Sequence, residues 1–457
     1  MSGYKSKNRI KKGKKKLYII GILVVLAECI LLGICVSLFI EKENLPEAAK
    51  DTSPSVLQET EELKEQQILS ESDPEPESRP EPESEPVLEP EPKPQKSEEE
   101  LVEEYVETVL SEMTLEEKVL QLFMITPNAL TGYGTVTAAG GDTKDAIHQY
   151  PVGGIIYFAE NLHDPEQVQT MLSNTLQYYE DAGYPAPFLG VDEEGGTVAR
   201  IGNQAAFSVE SIPDMRAIGD SGDTQEAKRV GRVIGTYLSQ LGFSMDFAPV
   251  ADVLTSSENK VIGRRSFGTD PHLVSDMVLA ETEGLEESGI WAVLKHYPGH
   301  GATQSDSHKG YACTDKSLEE LMEAELVPFQ EGIQSGIHFI MVSHISVPQV
   351  TGDNTPCSLS EYMITEVLRE KLGFNGVVVT DAMNMGAISQ QYSSAEASVL
   401  ALQAGVDLLL MPADFHSAYE GVLNALETGV LTETEIEESV KRILRVKYEA
   451  TAGLDNT

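Results

Sequence analysis

Residues Trp291–His308 read WAVLKHYPGHGATQSDSH, an apolar run that breaks into a loop rich in glycine, histidine and aspartate. Ala292, Val293 and Leu294 fit the end of a buried strand, because an apolar run stopped by Pro298 and Gly299 is too short for a helix. Lys295 and His296 then stand at the strand's C-terminal end, with His300, Asp306 and His308 on the loop beyond. Loops carried on a rigid scaffold are where catalysis concentrates. The Asp306 carboxylate is close enough in sequence to orient the His308 ring and keep it able to exchange a proton near neutral pH. Two readings compete with this one: a solvated polar loop, and a metal site built from His296, His300 and His308. No HExxH or CxxC spacing accompanies those histidines.

Outward from this stretch the same pattern repeats. Apolar runs that read as strands are Leu122–Ile125, Gly154–Phe158, Phe188–Val191, Met245–Pro249, Ala292–Lys295, Phe339–Ser343, Val377–Thr380 and Leu408–Met411. Amphipathic stretches lie between them, among them Thr224–Leu241, Leu273–Ser288, Ser317–Ser335, Glu361–Leu372 and Ala395–Ala404. This β/α alternation predicts the α/β class and a single (β/α)8 TIM-like barrel, with an open doubly wound sheet as the alternative.

A barrel collects its active site at the C-terminal ends of its strands. Polar residues fall there: Asp192 follows FLGV, Asp246 and Asp252 flank FAPV, Lys295 and His296 follow AVL, His344 follows IMVS, and Asp381 follows VVVT. A carboxylate in the place of Asp381 suits the nucleophile of a retaining glycosidase. It equally suits the N-cap of a following helix.

The run Lys295–Gly301, KHYPGHG, with Asp306-Ser307-His308 after it, resembles the signature of the β-N-acetylglucosaminidase (NagZ-like) branch of glycoside hydrolase family 3. The resemblance implies that His308 is the general acid/base and Asp306 its partner; other branches generally lack this pair. GVDEEGGTVAR, Gly190–Arg200, is similar to the family's Asp-Gln-Glu-Gly-Gly-Arg-Val-x-Arg element, which implies sugar binding by Asp192 and Arg200. It departs at Glu193, where the family has Gln, and at Thr197, where the family has Arg. VIGRRSFG, Val261–Gly268, resembles the family's Arg-Ser-Phe element and implies Arg265 rather than Arg264 as a sugar contact, Arg264 being read as a surface ion pair. Lys295 and His296 carry over as further sugar contacts, and Asp381, in a Thr-Asp pair after an apolar strand, as the nucleophile.

The activity implied is that of a retaining β-N-acetylglucosaminidase (β-N-acetylhexosaminidase) acting through a covalent glycosyl-aspartate on terminal β-linked N-acetylglucosamine, with peptidoglycan or muropeptides as substrate. Alternatives are a β-glucosidase or β-xylosidase of the same family and a non-catalytic tethered glycan-binding barrel. No metal or organic cofactor is indicated. Helical sequence stops near Ala452, so the barrel is expected to supply the whole acid/base assembly without the family's frequent C-terminal domain.

At 457 residues with a formal charge of −41, the chain lacks the basic footprint that phosphate backbones require, which argues against nucleic acid. Its four cysteines do not form a disulfide framework; one bridge between Cys313 and Cys357 is the alternative in an exported chain, and two free buried thiols are expected. Residues 1–16 hold seven Lys and one Arg and no acid, and read as a basic cytoplasmic tail. Residues 17–40, LYIIGILVVLAECILLGICVSLFI, are long enough to span a bilayer, and the flanking lysines favour an N-terminus-in orientation. A cleaved signal peptide competes less well, given the length of the run and the missing A-x-A-like site. Residues 41–100, acidic and rich in Glu-Pro repeats, read as a disordered extended spacer, and residues 101–457 as the barrel. The expected location is the cell membrane, with the catalytic domain extracytoplasmic.

Overall fold

The computed structural model describes residues 96–303 and 306–454. The basic tail 1–16, the apolar run 17–40 and nearly all of the spacer lie outside the described residues. Among the described residues no helix is long and apolar enough to cross a membrane.

Eight parallel strands form the core: β1 (Phe123–Ile125), β2 (Gly154–Tyr157), β3 (Phe188–Val191), β4 (Met245–Asp246), β5 (Trp291–Tyr297), β6 (Phe339–Val342), β7 (Val377–Thr380) and β8 (Leu409–Leu410). Each pairs with its sequence neighbours, and β8 returns to β1 through Phe123↔Leu409. A parallel bridge between Val379 and Leu408 completes the ring. That closure removes the open-sheet alternative. Almost every strand residue is buried, as expected where side chains fill the barrel on one face and meet helices on the other.

The eight strands coincide with the apolar runs of the sequence, and most helices follow their amphipathic stretches. Thr224–Leu241 starts where Asp223 accepts a hydrogen bond from the Gln225 N–H (3.0 Å) and stops at Gly242 in the left-handed region, φ 96°. It packs against Pro271–Glu286 so closely that a β-carbon at Gly231 would run into the Glu281 carbonyl, and one at Gly284 into the Lys228 carbonyl. The expected single helix Ser317–Ser335 is instead two, Leu318–Glu323 and Val327–Ser335. Pro328 sits in the first turn of the second, where its missing N–H costs nothing, and cannot continue the first. Tyr362–Lys371 has π-helical hydrogen bonding. Helix Glu98–Glu112, capped by Ser97, takes up the last residues read as spacer. Cys313 and Cys357 are free, Cys357 buried as expected and Cys313 only partly so.

Helix Glu98–Glu112 lies along the final helix, Glu433–Leu454, joined by Arg445–Glu103 at 2.7 Å and by the Tyr105 and Tyr448 rings at 5.0 Å. From that final helix Lys447 enters the N-terminal end of the barrel, where Phe188 and Phe339 meet edge to face across the interior. Its ammonium stands 5.2 Å over the Phe188 ring and donates to Gln121 Oε1 at 2.8 Å. Among the described residues no carboxylate pairs with it there, and burial pushes its pKa down to about 7 from the ordinary 10.5.

Between those two values the unfolded chain binds a proton that the folded chain does not, so this residue makes stability rise with pH through that window. Lys447→Met is expected to flatten the rise between pH 7 and 10.5, measured by thermal melts across that range. The slope is the readout, because the substitution also leaves the Gln121 oxygen unpaired. A slope unchanged in the variant would show that another group carries it.

Candidate active site

The residues singled out in the sequence converge. Asp192, Arg200, Arg265, Lys295, His296, Asp306, His308 and Asp381 all line one cavity of about 870 Å³ at the C-terminal mouth of the barrel. They come from the ends of β3, β5 and β7 and from three loops.

Its floor is a chain of alternating charges. Arg200 Nη2 meets Asp192 Oδ2 at 3.2 Å, and Asp192 Oδ1 accepts from Lys295 Nζ at 2.9 Å. Lys295, only 3% exposed, also reaches Glu194 Oε1 at 2.6 Å. Glu194 in turn takes Arg265 in a two-pronged pair, Nε and Nη2 each at 2.7 Å. Burial pushes both carboxyls up, but Lys295 with Arg200 outweighs it at Asp192, and Arg265 with Lys295 outweighs it at Glu194, so both stay below their ordinary values. Burial pulls Lys295 down, yet Asp192 and Glu194 hold it above the ordinary lysine value. Arg200 also lies over the Phe158 ring at 5.4 Å.

Glu194 was not singled out in the sequence. Its neighbour explains one of the chain's departures from the family element. The buried Glu193 carboxylate accepts from the N–H groups of Arg200 (2.6 Å), Ile201 (2.9 Å) and Gly202 (2.7 Å) and from the Tyr237 hydroxyl (2.8 Å). An amide offers one oxygen and would turn its own N–H donors on this set, whereas a carboxylate accepts on both sides. Glu193 therefore pins the segment that carries Arg200.

On the other side, Lys295 and His296, joined by a cis peptide bond, both face the cavity. His296 Nδ1 lies 2.6 Å from Asp252 Oδ2, and its Nε2 lies 3.4 Å from Arg265 Nη2. Asp252 also accepts from the His300 N–H at 2.5 Å. His300 does not line the cavity. Its ring nitrogens sit 2.9 Å from the hydroxyls of Ser307 and Thr303, bracing the loop from beneath and leaving neither nitrogen turned to a metal.

Asp381 ends β7 with Oδ1 accepting from the Ala382 N–H at 2.8 Å. The next helix, Gly386–Ser389, has Met385 at its N-cap, so the capping role does not apply. Burial pushes the Asp381 carboxyl up, but His296, His344, the Ala382 N–H and His308 together hold it below the ordinary value. His344, buried beneath, donates to the Ala382 carbonyl (3.1 Å) and meets Ser358 at 2.7 Å, steadying the turn that carries the carboxylate. Across the cavity His308 Nδ1 lies 3.0 Å from Asp306 Oδ1, which leaves Nε2 to the cavity. Burial raises the Asp306 carboxyl, while Lys309 and the His308 N–H and ring outweigh it, so Asp306 stays ionised. Arg264 is an exposed ion pair with Asp214 at 2.7 Å, as expected.

A closed parallel barrel with this mouth has the equipment to fix hydroxyl positions through charged hydrogen bonds and to pass a proton. The chain belongs to glycosyl hydrolase family 3: the model of that family's N-terminal domain matches residues 114–446. Beta-hexosaminidase A of Pseudoalteromonas piscicida is 32% identical over 333 residues, covering 68% of this chain and 56% of that protein. Beta-hexosaminidase LpqI of Mycobacterium tuberculosis is 33% identical over 315 residues, covering 67% of this chain and 78% of that one. Among solved structures, a glycoside hydrolase family 3 beta-N-acetylglucosaminidase from Paenibacillus sp. superposes with a TM-score of 0.70 at 35% identity, over 75% of this chain and 63% of that chain. This chain thus spans little more than half the length of the first of these relatives.

Removing the charge of Glu194 leaves Arg265 and Lys295 facing each other. Glu194→Gln is expected to destabilise the fold by about 3–5 kcal/mol, the usual cost of orphaning a buried charge, read as the urea midpoint at neutral pH. The depressed Glu194 value makes its contribution full above the ordinary 4.5 and lost as pH falls below it, so the variant is also expected to lose less stability on acidification. An unchanged midpoint would show that the floor does not depend on this carboxylate.

Proposed function

We propose that the barrel is a retaining β-N-acetylglucosaminidase that releases terminal β-linked N-acetylglucosamine, with fragments of cell-wall peptidoglycan as its source. One observation carries the reading: an ionised carboxylate, Asp381, and a histidine with its own carboxylate, His308–Asp306, face one cavity over a floor of sugar-holding charges. The names of the relatives support the choice of sugar.

In this reading Asp192, Arg200, Arg265, Lys295 and His296 hold the sugar hydroxyls. Protonated His308 gives its Nε2 proton to the glycosidic oxygen as the bond breaks, and an Asp381 oxygen bonds to the anomeric carbon. The aglycone leaves as an alcohol. Neutral His308 then takes a proton from water as that water displaces Asp381, which returns to the free carboxylate with the anomeric configuration retained. Asp306 orients the ring and stabilises its charged form. The Leu17–Ile40 run would anchor the chain in the membrane with residues 41–100 as a spacer, placing the barrel outside the cytoplasm.

The full chain is expected to hydrolyse a chromogenic β-N-acetylglucosaminide with retention, read by proton NMR of the first-formed anomer, and to leave the matching β-glucoside largely intact. Asp381→Asn abolishes turnover, and His308→Ala slows it by roughly 10²–10⁴-fold. Preference for the glucoside would overturn the sugar assignment, and an inverted product would overturn Asp381 as nucleophile. For the anchor, the full chain is expected in the pellet after carbonate washing of membranes, while a chain lacking residues 1–40 is released; release of both would end the anchoring proposal.

A further inference from the structure

The loop that carries Asp306 and His308 departs past Gly299 and returns at Lys316, and both of those residues meet one side chain, that of Glu325. A β-carbon at Gly299, φ 121°, would stand 2.5 Å from the Glu325 β-carbon, so the backbone entering the loop passes directly against the stem of that glutamate. At the far end the Lys316 ammonium pairs with Glu325 Oε1, which also accepts from the Thr255 hydroxyl at 2.6 Å. Thr255 begins a neighbouring segment that holds the start of the same loop. There the Ser256 N–H donates to the Gly301 carbonyl at 3.2 Å, and Asn259 donates to the His300 carbonyl at 2.8 Å.

Glu325 has no part in building the helices around it. It is fully buried in the turn between Leu318–Glu323 and Val327–Ser335, and the second of these starts from Leu326 without a side-chain hydrogen bond. A carboxylate taken out of water costs free energy unless partners answer it, and packing alone would be served by an apolar side chain. Its Oε2 makes no hydrogen bond among the described residues, so its bonding goes to Thr255 and Lys316. The tip of the loop rests elsewhere: the Gly386 and Ala387 N–H groups donate to the His308 and Ser307 carbonyls, each at 3.1 Å. Base and tip are therefore held separately, the tip by backbone beyond Asp381 and the base by Glu325.

We propose that Glu325 is a positioning residue for the reaction, tying the two ends of this loop to each other and so setting where the His308 ring stands. Joining the ends removes freedom that the loop would otherwise have about its base. A reacting group displaced by about 1 Å loses roughly 10²-fold in rate. The proposal rests on the glycosidase reading for what His308 does.

The leaving group separates a displaced acid from a weakened fold. In the full chain, kcat/KM is compared for a methyl β-N-acetylglucosaminide, whose alkoxide leaves only with a proton, and for the dinitrophenyl glycoside, whose phenolate leaves without one. Glu325→Ala is expected to lower the first by about 10–100-fold and the second by less than about threefold. Glu325→Gln, which keeps an oxygen for Thr255 and Lys316, restores part of the loss. In a chain carrying His308→Ala, adding Glu325→Ala lowers turnover no further, as two residues acting as one unit require. Should Glu325→Ala not fold, Lys316→Met, at a partly exposed residue, cuts the far tie alone and is expected to show the same selectivity. Equal losses on both glycosides, or a further loss on the His308→Ala background, would overturn the proposal. Hydrogen exchange gives a readout independent of turnover: either variant speeds exchange across residues 300–316 and leaves the strands unchanged, and a loop whose exchange does not change would overturn the tie. An unmodified chain that hydrolyses neither glycoside overturns the glycosidase reading, and exchange alone then decides whether Glu325 holds the loop.

Discussion

The mouth of this barrel depends on one arrangement, the run of alternating charge from Arg200 through Asp192, Lys295 and Glu194 to Arg265. Charges taken from water cost several kcal/mol each unless they are answered at once by partners. Here each inner member has a partner on both sides, so the floor stays ionised without solvent. The two outer arginines are held differently, Arg200 against an aromatic ring and Arg265 by a two-pronged carboxylate pair. Three cations against two carboxylates leave the floor with an excess of positive charge.

Around that floor the His308–Asp306 pair is built in the opposite way. His308 is 61% exposed and tied to Asp306 from its own loop, whereas Asp381 sits at a strand end over buried His344. In the proposed reaction a group that trades protons with leaving group and water gains from reach to solvent, while a carboxylate that meets one carbon gains from a fixed position.

Much of this was legible in the sequence, and for definable reasons. Buried parallel strands have to be apolar over their whole length, so VVVT and FIMV announce themselves, and a polar residue directly after each is conspicuous. Asp192, Lys295 and Asp381 were found in that way. Glu194 was not, because in Asp-Glu-Glu-Gly-Gly nothing local tells a surface acid from one locked between two cations brought in from β5 and from the 263–265 turn. His300 shows the converse. Its position beside the motif suggested chemistry, but Ser307 and Thr303 occupy its nitrogens, an arrangement visible only once the loop has folded back. The division of Ser317–Ser335 into two helices was written in Pro328, and amphipathic periodicity across it masked the break.

A ring of strands has no first or last member. An open sheet leaves rows of unpaired N–H and C=O groups that a second copy can extend, and proteins usually spend edge prolines, bulges or charges to prevent it. Here the bridge from Val379 to Leu408 satisfies those groups within the molecule, and the other paired segment, the hairpin of Glu193–Gly195 with Val198–Ala199, is short and tucked into the mouth. Copies of this barrel brought close together on one surface therefore meet through strongly acidic exteriors with no backbone ladder on offer, and crowding alone gives them no route to exchange strands.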